Sequence, residues 1–144
     1  MLLVLDTSVV AKWFKEEEGT DLALRIREDF HKGVHEIIVP DLLLYEISNA
    51  LRFDKKFTSD LITDAINSLF EMDIIITVPS GDLISCAVKI AIDNEITVYD
   101  AIYIALSLRI DGTFITADEK LYGKIKEIEN CKLLSNGVPS PQDE

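Results

Sequence analysis

The chain has few of the residues that usually announce a chemistry. It holds only two cysteines, Cys86 and Cys131, and two histidines, His31 and His35. The cysteines form no C-x-x-C pair and have no histidine at zinc-finger spacing, which argues against a structural zinc site or a disulfide framework. They are expected as small, buried or half-buried side chains of a reducing compartment. The histidines stand together in the polar stretch "FHKGVHE" and read as a solvated helix end, not as ligands or catalysts. A phosphate-cradling glycine loop, a G-x-S-x-G elbow and a dinucleotide fingerprint are missing. So are internal repeats, low-complexity tracts and an interdomain linker.

Long apolar runs are missing too. No uninterrupted stretch approaches the about 20 residues needed to span a bilayer. The opening "MLLVLDTS" has no basic flank and soon reaches Asp6, unlike a signal peptide, so a cytoplasmic location is expected. Basic charge is scarce: 14 Lys and Arg against 26 Asp and Glu leave a formal net charge of -12. Non-specific phosphate binding wants a basic face. This balance favours small substrates, a basic partner protein, or carboxylates in need of cations.

What the chain does have is regular apolar patterning. Its 144 residues suit one domain, long enough to bury roughly 70% of the unfolded surface. "LLVL" (Leu2 to Leu5) reads as a short buried strand, with Thr7 or Ser8 capping a helix through "VVAKWFKEE" that Gly19 ends. Asp21 to Lys32 repeats the helical pattern. "EIIVP" (Glu36 to Pro40) is a second strand, and Pro40 opens a helix over Asp41 to Phe53. Thr58 to Met72 is a further amphipathic helix, and "IIITV" (Ile74 to Val78) a third strand. Helices over Ser80 to Asp93 and Thr97 to Ile110 precede a turn at Asp111-Gly112. "TFIT" (Thr113 to Thr116), a helix from Asp118 to about Ile128, and "KLL" (Lys132 to Leu134) complete the pattern. Residues 1–134 are expected to form one domain and the polar, proline-bearing 135–144 a loose tail. Apolar strands joined through helices predict an α/β fold, three layers with a mostly parallel, covered central sheet.

In such sheets ligands bind at the carboxyl ends of the strands. Asp6 directly follows the first strand, and Asp118 stands two residues past the fourth. Each is also a sound helix cap. Asp100 completes Thr97-x-x-Asp100, a capping box, and complements the helix dipole. Glu46 is harder to explain locally. It sits mid-helix in "PDLLLYEISNALR", between apolar turns, with no Lys or Arg three or four residues away. A buried, unpaired carboxylate there would be forced neutral or would need a cation from outside the helix. If the four acids converge, their repulsion demands compensation. Oxygen-only ligands suit Mg²⁺ or Mn²⁺, and Thr7, Ser8 and Thr116 add hydroxyls at the same edge. Lys12, Lys15, Arg52, Lys55 and Lys56 are the candidate contacts to a phosphate backbone.

Four fragments, "VLDTSVV", "VPDLLLYEISNAL", "YDAIYIALS" and "FITADEKL", resemble in order and spacing the PIN domain, and within it the VapC-type toxins of prokaryotic toxin–antitoxin pairs. The resemblance covers Met1 to about Leu134. It implies a flavodoxin-like α/β/α fold and a Mg²⁺- or Mn²⁺-dependent endoribonuclease. The family's acidic quartet falls on Asp6, Glu46, Asp100 and Asp118, with Asp6 and Asp100 as principal metal ligands. The supporting hydroxyls fall on Thr7 or Ser8 and on Thr116. It further implies an RNA substrate, a small VapB-like antitoxin as partner and a homodimer. The rival readings are a PIN scaffold that binds RNA or protein without cutting, and an RNA-processing nuclease outside any toxin pair. A receiver domain or a haloacid-dehalogenase-like phosphatase would want acidic pairs after the first strand that are not there.

Overall fold

The computed structural model describes residues 1–138. Five strands form one sheet: β1 (Leu2–Leu5), β2 (Glu36–Pro40), β3 (Ile75–Thr77), β4 (Thr113–Thr116) and β5 (Cys131–Leu133). Their order is β3-β2-β1-β4-β5, and every neighbouring pair is parallel. The helices are α1 (Thr7–Val10), α2 (Thr20–His31), α3 (Leu42–Arg52), α4 (Ser59–Glu71), α5 (Gly81–Asn94), α6 (Val98–Arg109) and α7 (Glu119–Ile125). Leu3, Val4 and Leu5 of β1, like Phe114 and Ile115 of β4, are fully buried. Successive strand residues point to opposite faces, so the sheet must be covered on both sides. The three-layer α/β/α arrangement expected from the apolar runs is the one observed.

Local signals set most helix starts. Thr58, Ser80, Thr97 and Asp118 are N-caps whose side-chain oxygens accept from Leu61, Leu83, Asp100 and Leu121 N–H. Each such cap is worth about 1 kcal/mol. Helix α6 is apolar all round, and every residue from Ala101 to Ser107 is buried, as befits a helix inside the packed core. It packs against α5 and against β1, β2 and β4. The paired helices expected between β2 and β3, and between β3 and β4, are present as α3–α4 and α5–α6.

Three expectations need correction. The helix foreseen through "VVAKWFKEE" is a single turn, α1, followed by a 3-10 turn over Ala11–Trp13. Trp13 Nε1 donates to Ala23 O at 2.8 Å, which pins this turn to α2, and three consecutive glutamates are poor company for a helix C-terminus. Neither Thr7 nor Ser8 caps α1; Asp6 holds the N-cap position and no side chain bonds the backbone there. His35 is no part of a solvated helix end. It is 3% exposed, its Nδ1 has no hydrogen-bond partner among the described residues, and burial lowers its pKa. His31 is exposed at the end of α2 as expected. Cys131 is buried and Cys86 half-buried, both free. Of the tail expected over 135–144, residues 139–144 lie outside the described residues, and Leu134–Asn136 form a 3-10 turn. Among the described residues no helix is long and apolar enough to cross a membrane.

Candidate active site

The strand order places β1 beside β4, with β2 and β3 on one side and β5 on the other. Connections leaving β1 and β4 therefore diverge, and a crevice opens past their carboxyl ends. Asp6 and Thr116 face each other there. Asp6 N donates to Ile115 O at 3.4 Å, and its carbonyl accepts from Val9 and Val10 N–H at 3.2 Å each, which turns the chain into α1. Ser8 Oγ donates to Asp6 Oδ1 at 2.5 Å and Thr116 Oγ1 to Oδ2 at 2.6 Å. Those hydroxyls are positioned in turn, because Ser8 Oγ accepts from Ala117 N–H at 2.8 Å and Thr116 Oγ1 from Asp118 N–H at 3.1 Å. Asp6 is 7% exposed. Burial pushes its carboxyl up to about 6, although both hydroxyls pull the other way, and the charge of Asp100 adds to the rise.

Glu46 reaches the crevice from α3. Its Oε1 accepts from Thr7 Oγ1 at 3.1 Å and from the Tyr103 hydroxyl at 2.5 Å. The two neighbouring hydroxyls are thereby divided: Ser8 serves Asp6 and Thr7 serves Glu46. Burial raises the Glu46 pKa, the two hydroxyl bonds oppose that, and Asp100 reinforces it. Tyr103 was not among the residues foreseen. A signal existed, since it lies one turn after Asp100 in a helix buried all round, and a buried tyrosine hydroxyl must find a partner. Burial and the Glu46 charge push its phenol well above the usual range.

Asp100 and Asp118 form the outer end. Asp100 stands in the first turn of α6, its N–H bonded to Thr97 Oγ1 at 3.1 Å. Burial raises its pKa, and the charge of Asp118 raises it further. Asp118 caps α7, its Oδ1 accepting from Leu121 N–H at 3.0 Å. Asp6 and Glu46 both feel Asp100, and Asp100 feels Asp118. These influences run from Asp6 and Glu46 to Asp100 and from Asp100 to Asp118, which sets the four acids along one rim.

No ion pair among the described residues involves any of the four. Among those residues, no three His, Cys, Asp or Glu side chains are gathered tightly enough for a ready-made metal cage. The rim is open: hard oxygen donors, carboxylates without an ion-pair partner among the described residues and hydroxyl groups that orient without neutralising. That donor chemistry fits Mg²⁺ or Mn²⁺, hard cations that retain waters and take one or two carboxylates each.

The basic residues foreseen do not all serve this rim. Lys12 lines a cavity with Ala117 and Glu119, yet its ammonium is taken by Glu17 at 3.2 Å. Arg52 lies over the Phe53 ring at 5.2 Å. Lys15 and Lys56 line a separate cavity with Phe14, Asp54 and Phe57. Lys120 and Lys124, which were not foreseen, line a cavity together with Asp100 and Asp118.

Comparison with known proteins bears on these observations. The family model described as the PIN domain matches residues 3–126. Ribonuclease VapC3 of Pyrobaculum aerophilum is 30% identical over 128 residues, covering 86% of this chain and 95% of that protein. The structure of VapBC-1 from nontypeable Haemophilus influenzae superposes with a TM-score of 0.68 at 15% identity, over 94% of this chain and 99% of the other. A toxin–antitoxin complex from Klebsiella pneumoniae gives a TM-score of 0.63 at 15% identity, over 92% and 97%. At such identities the structural likenesses speak for the fold.

Proposed function

The chain belongs to the PIN domain family, and from that premise we propose that it is a Mg²⁺- or Mn²⁺-dependent endoribonuclease, the toxin of a VapBC-type pair. The observation that carries the reading is the convergence of Asp6, Glu46, Asp100 and Asp118 on one crevice with no ion pair to any of them among the described residues. Similarity to a VapC ribonuclease supports the same chemistry.

Asp6 and Asp100 are the residues that would hold the cation, with Glu46 and Asp118 completing the rim directly or through water. When bound, such a cation supplies charge that offsets the phosphate and acidifies a water in its shell. The protein's own groups do the rest. Ser8 and Thr116 hold the Asp6 carboxylate in one orientation, and Thr7 and Tyr103 do the same for Glu46. Such supporting partners commonly change metal affinity or activity by about 10- to 100-fold. Asp6 must surrender its proton to take a cation, so affinity should fall as pH drops through about 6. The partners expected with this role are an RNA substrate, a small VapB-like antitoxin and a second copy of the chain. A net charge of -12 favours a basic surface on the antitoxin.

Incubation of the purified chain with a generic single-stranded RNA tests the reading. Cleavage in Mg²⁺ or Mn²⁺, stopped by EDTA and lost in Asp6→Asn and Asp100→Asn, is the expected outcome. Undiminished cleavage in EDTA, or in both variants, would overturn it. A neighbouring reading frame for a short basic DNA-binding protein would support the toxin role.

A further inference from the structure

Between the end of α5 and the face of α7 lies a cavity of about 320 Å³, whose lining includes Glu95, Thr97, Asp100, Asp118, Lys120 and Lys124. It is continuous with the acidic rim, because Asp100 and Asp118 form part of both. Lys120 and Lys124 stand one turn apart on α7, so they share a face. Both are exposed, and neither takes part in an ion pair among the described residues. Lys124 is nevertheless placed: its Nζ donates to Glu95 O at 3.1 Å. Glu95 ends α5 with φ 55, which turns that carbonyl out of the helix. One bond to a neutral carbonyl leaves the ammonium two further donors and its full charge. Asp100 feels that charge as a stabilising one.

The charge pattern needs a ligand to make sense. A strand whose scissile phosphate meets the carboxylates must lay a neighbouring phosphate on adjoining surface. On a chain this acidic, most of that surface would repel it. The two lysines put positive charge at a cavity that shares its wall with the rim, and its volume is at the small end for a ligand site, suited to a sugar–phosphate unit. We propose that Lys120 and Lys124 form a subsite for the RNA backbone phosphate next to the scissile one and so position the strand across the acidic rim. The subsite rests on the nuclease reading above. It assigns the lysines to positioning and gives them no part in the reaction itself.

The test compares the wild type with Lys120→Ala/Lys124→Ala and with Lys120→Arg/Lys124→Arg on one labelled single-stranded oligoribonucleotide. Initial rates in Mg²⁺ should show a rise of about tenfold in KM for the alanine pair, with kcat nearly unchanged, as for two exposed charge contacts. Binding followed by fluorescence anisotropy in EDTA, where the RNA is not consumed, should lose about 0.7 from the slope of log K against log salt, the value for one phosphate contact of a single strand. The arginine pair should recover both. Unchanged KM and salt slope in an alanine pair that still cleaves would overturn the subsite and leave the nuclease reading standing. A wild type that neither cleaves nor binds the RNA would bring down both. A fall in kcat that arginine does not restore would also count against positioning.

Discussion

At the inner end of the rim, Asp6 and Glu46 are each held by two hydroxyl groups, whereas at the outer end Asp100 stands in the first turn of α6 and Asp118 caps α7. The inner pair is oriented by neutral donors, which fix a carboxylate without cancelling its charge. The desolvation penalty therefore stays in the folded chain, as the raised pKa values of both groups record. The outer pair sits where a helix start favours negative charge. There a carboxylate can serve the site and stabilise the fold at once. Asp100, whose pKa burial also raises, shares the inner end's penalty, whereas the exposed Asp118 serves its helix as a cap.

Asp6→Asn should break this contrast most visibly. The folded pKa of Asp6, about 6, is raised above the ordinary 3.8, so the ionised form opposes folding. Its favourable contribution is fully present below about pH 4 and is lost as pH rises through about 6. In EDTA at pH 7 the Asn variant should therefore be more stable than the wild type, by up to about 3 kcal/mol. The gap should close on acidification towards pH 4. Denaturant unfolding of both proteins across that range measures it; His35, whose lowered pKa acts in the opposite sense, cancels in the difference. An Asn variant less stable than the wild type at pH 7 would mean the inner end carries no such penalty.

Thr116→Val sharpens the account of the hydroxyls. It removes the donor to Asp6 Oδ2 and the acceptor for Asp118 N–H. Mn²⁺ affinity by titration calorimetry should weaken by about 10- to 100-fold. Undisturbed affinity would show that Asp6 needs no such orientation. The smallest effect belongs to the outer end. Asp118→Asn keeps a good cap and should change stability by only a few tenths of a kcal/mol, while Asp118→Ala should lose about 1 kcal/mol. Thermal unfolding of the pair separates the capping role from the charge, and equal losses would deny that a cap is present.

Much of this was legible from residue order. Runs such as "LLVL" and "TFIT" announced buried parallel strands, because a strand covered on both faces has no polar alternation to show. Thr97 and Asp118 announced caps, because a cap is satisfied within three residues. The quartet was legible as motif, but its physical state was not. Nothing near Glu46 in the chain pointed to Tyr103, and nothing near Glu95 pointed to Lys124. His35 looked solvated among polar neighbours and is buried against the start of the chain, where the Met1 ammonium bonds Val34 O at 2.9 Å.

The amino-acid order alone determined what is local: which segments are strands or helices, where helices begin, and which acids stand at their ends. Tertiary structure alone decided which hydroxyl serves which carboxylate, how far each acid is stripped of water, and which lysines share its wall. The reason is distance along the chain. Tyr103 meets Glu46 across 57 positions and Thr116 meets Asp6 across 110, and such meetings follow from strand order, which no local periodicity encodes.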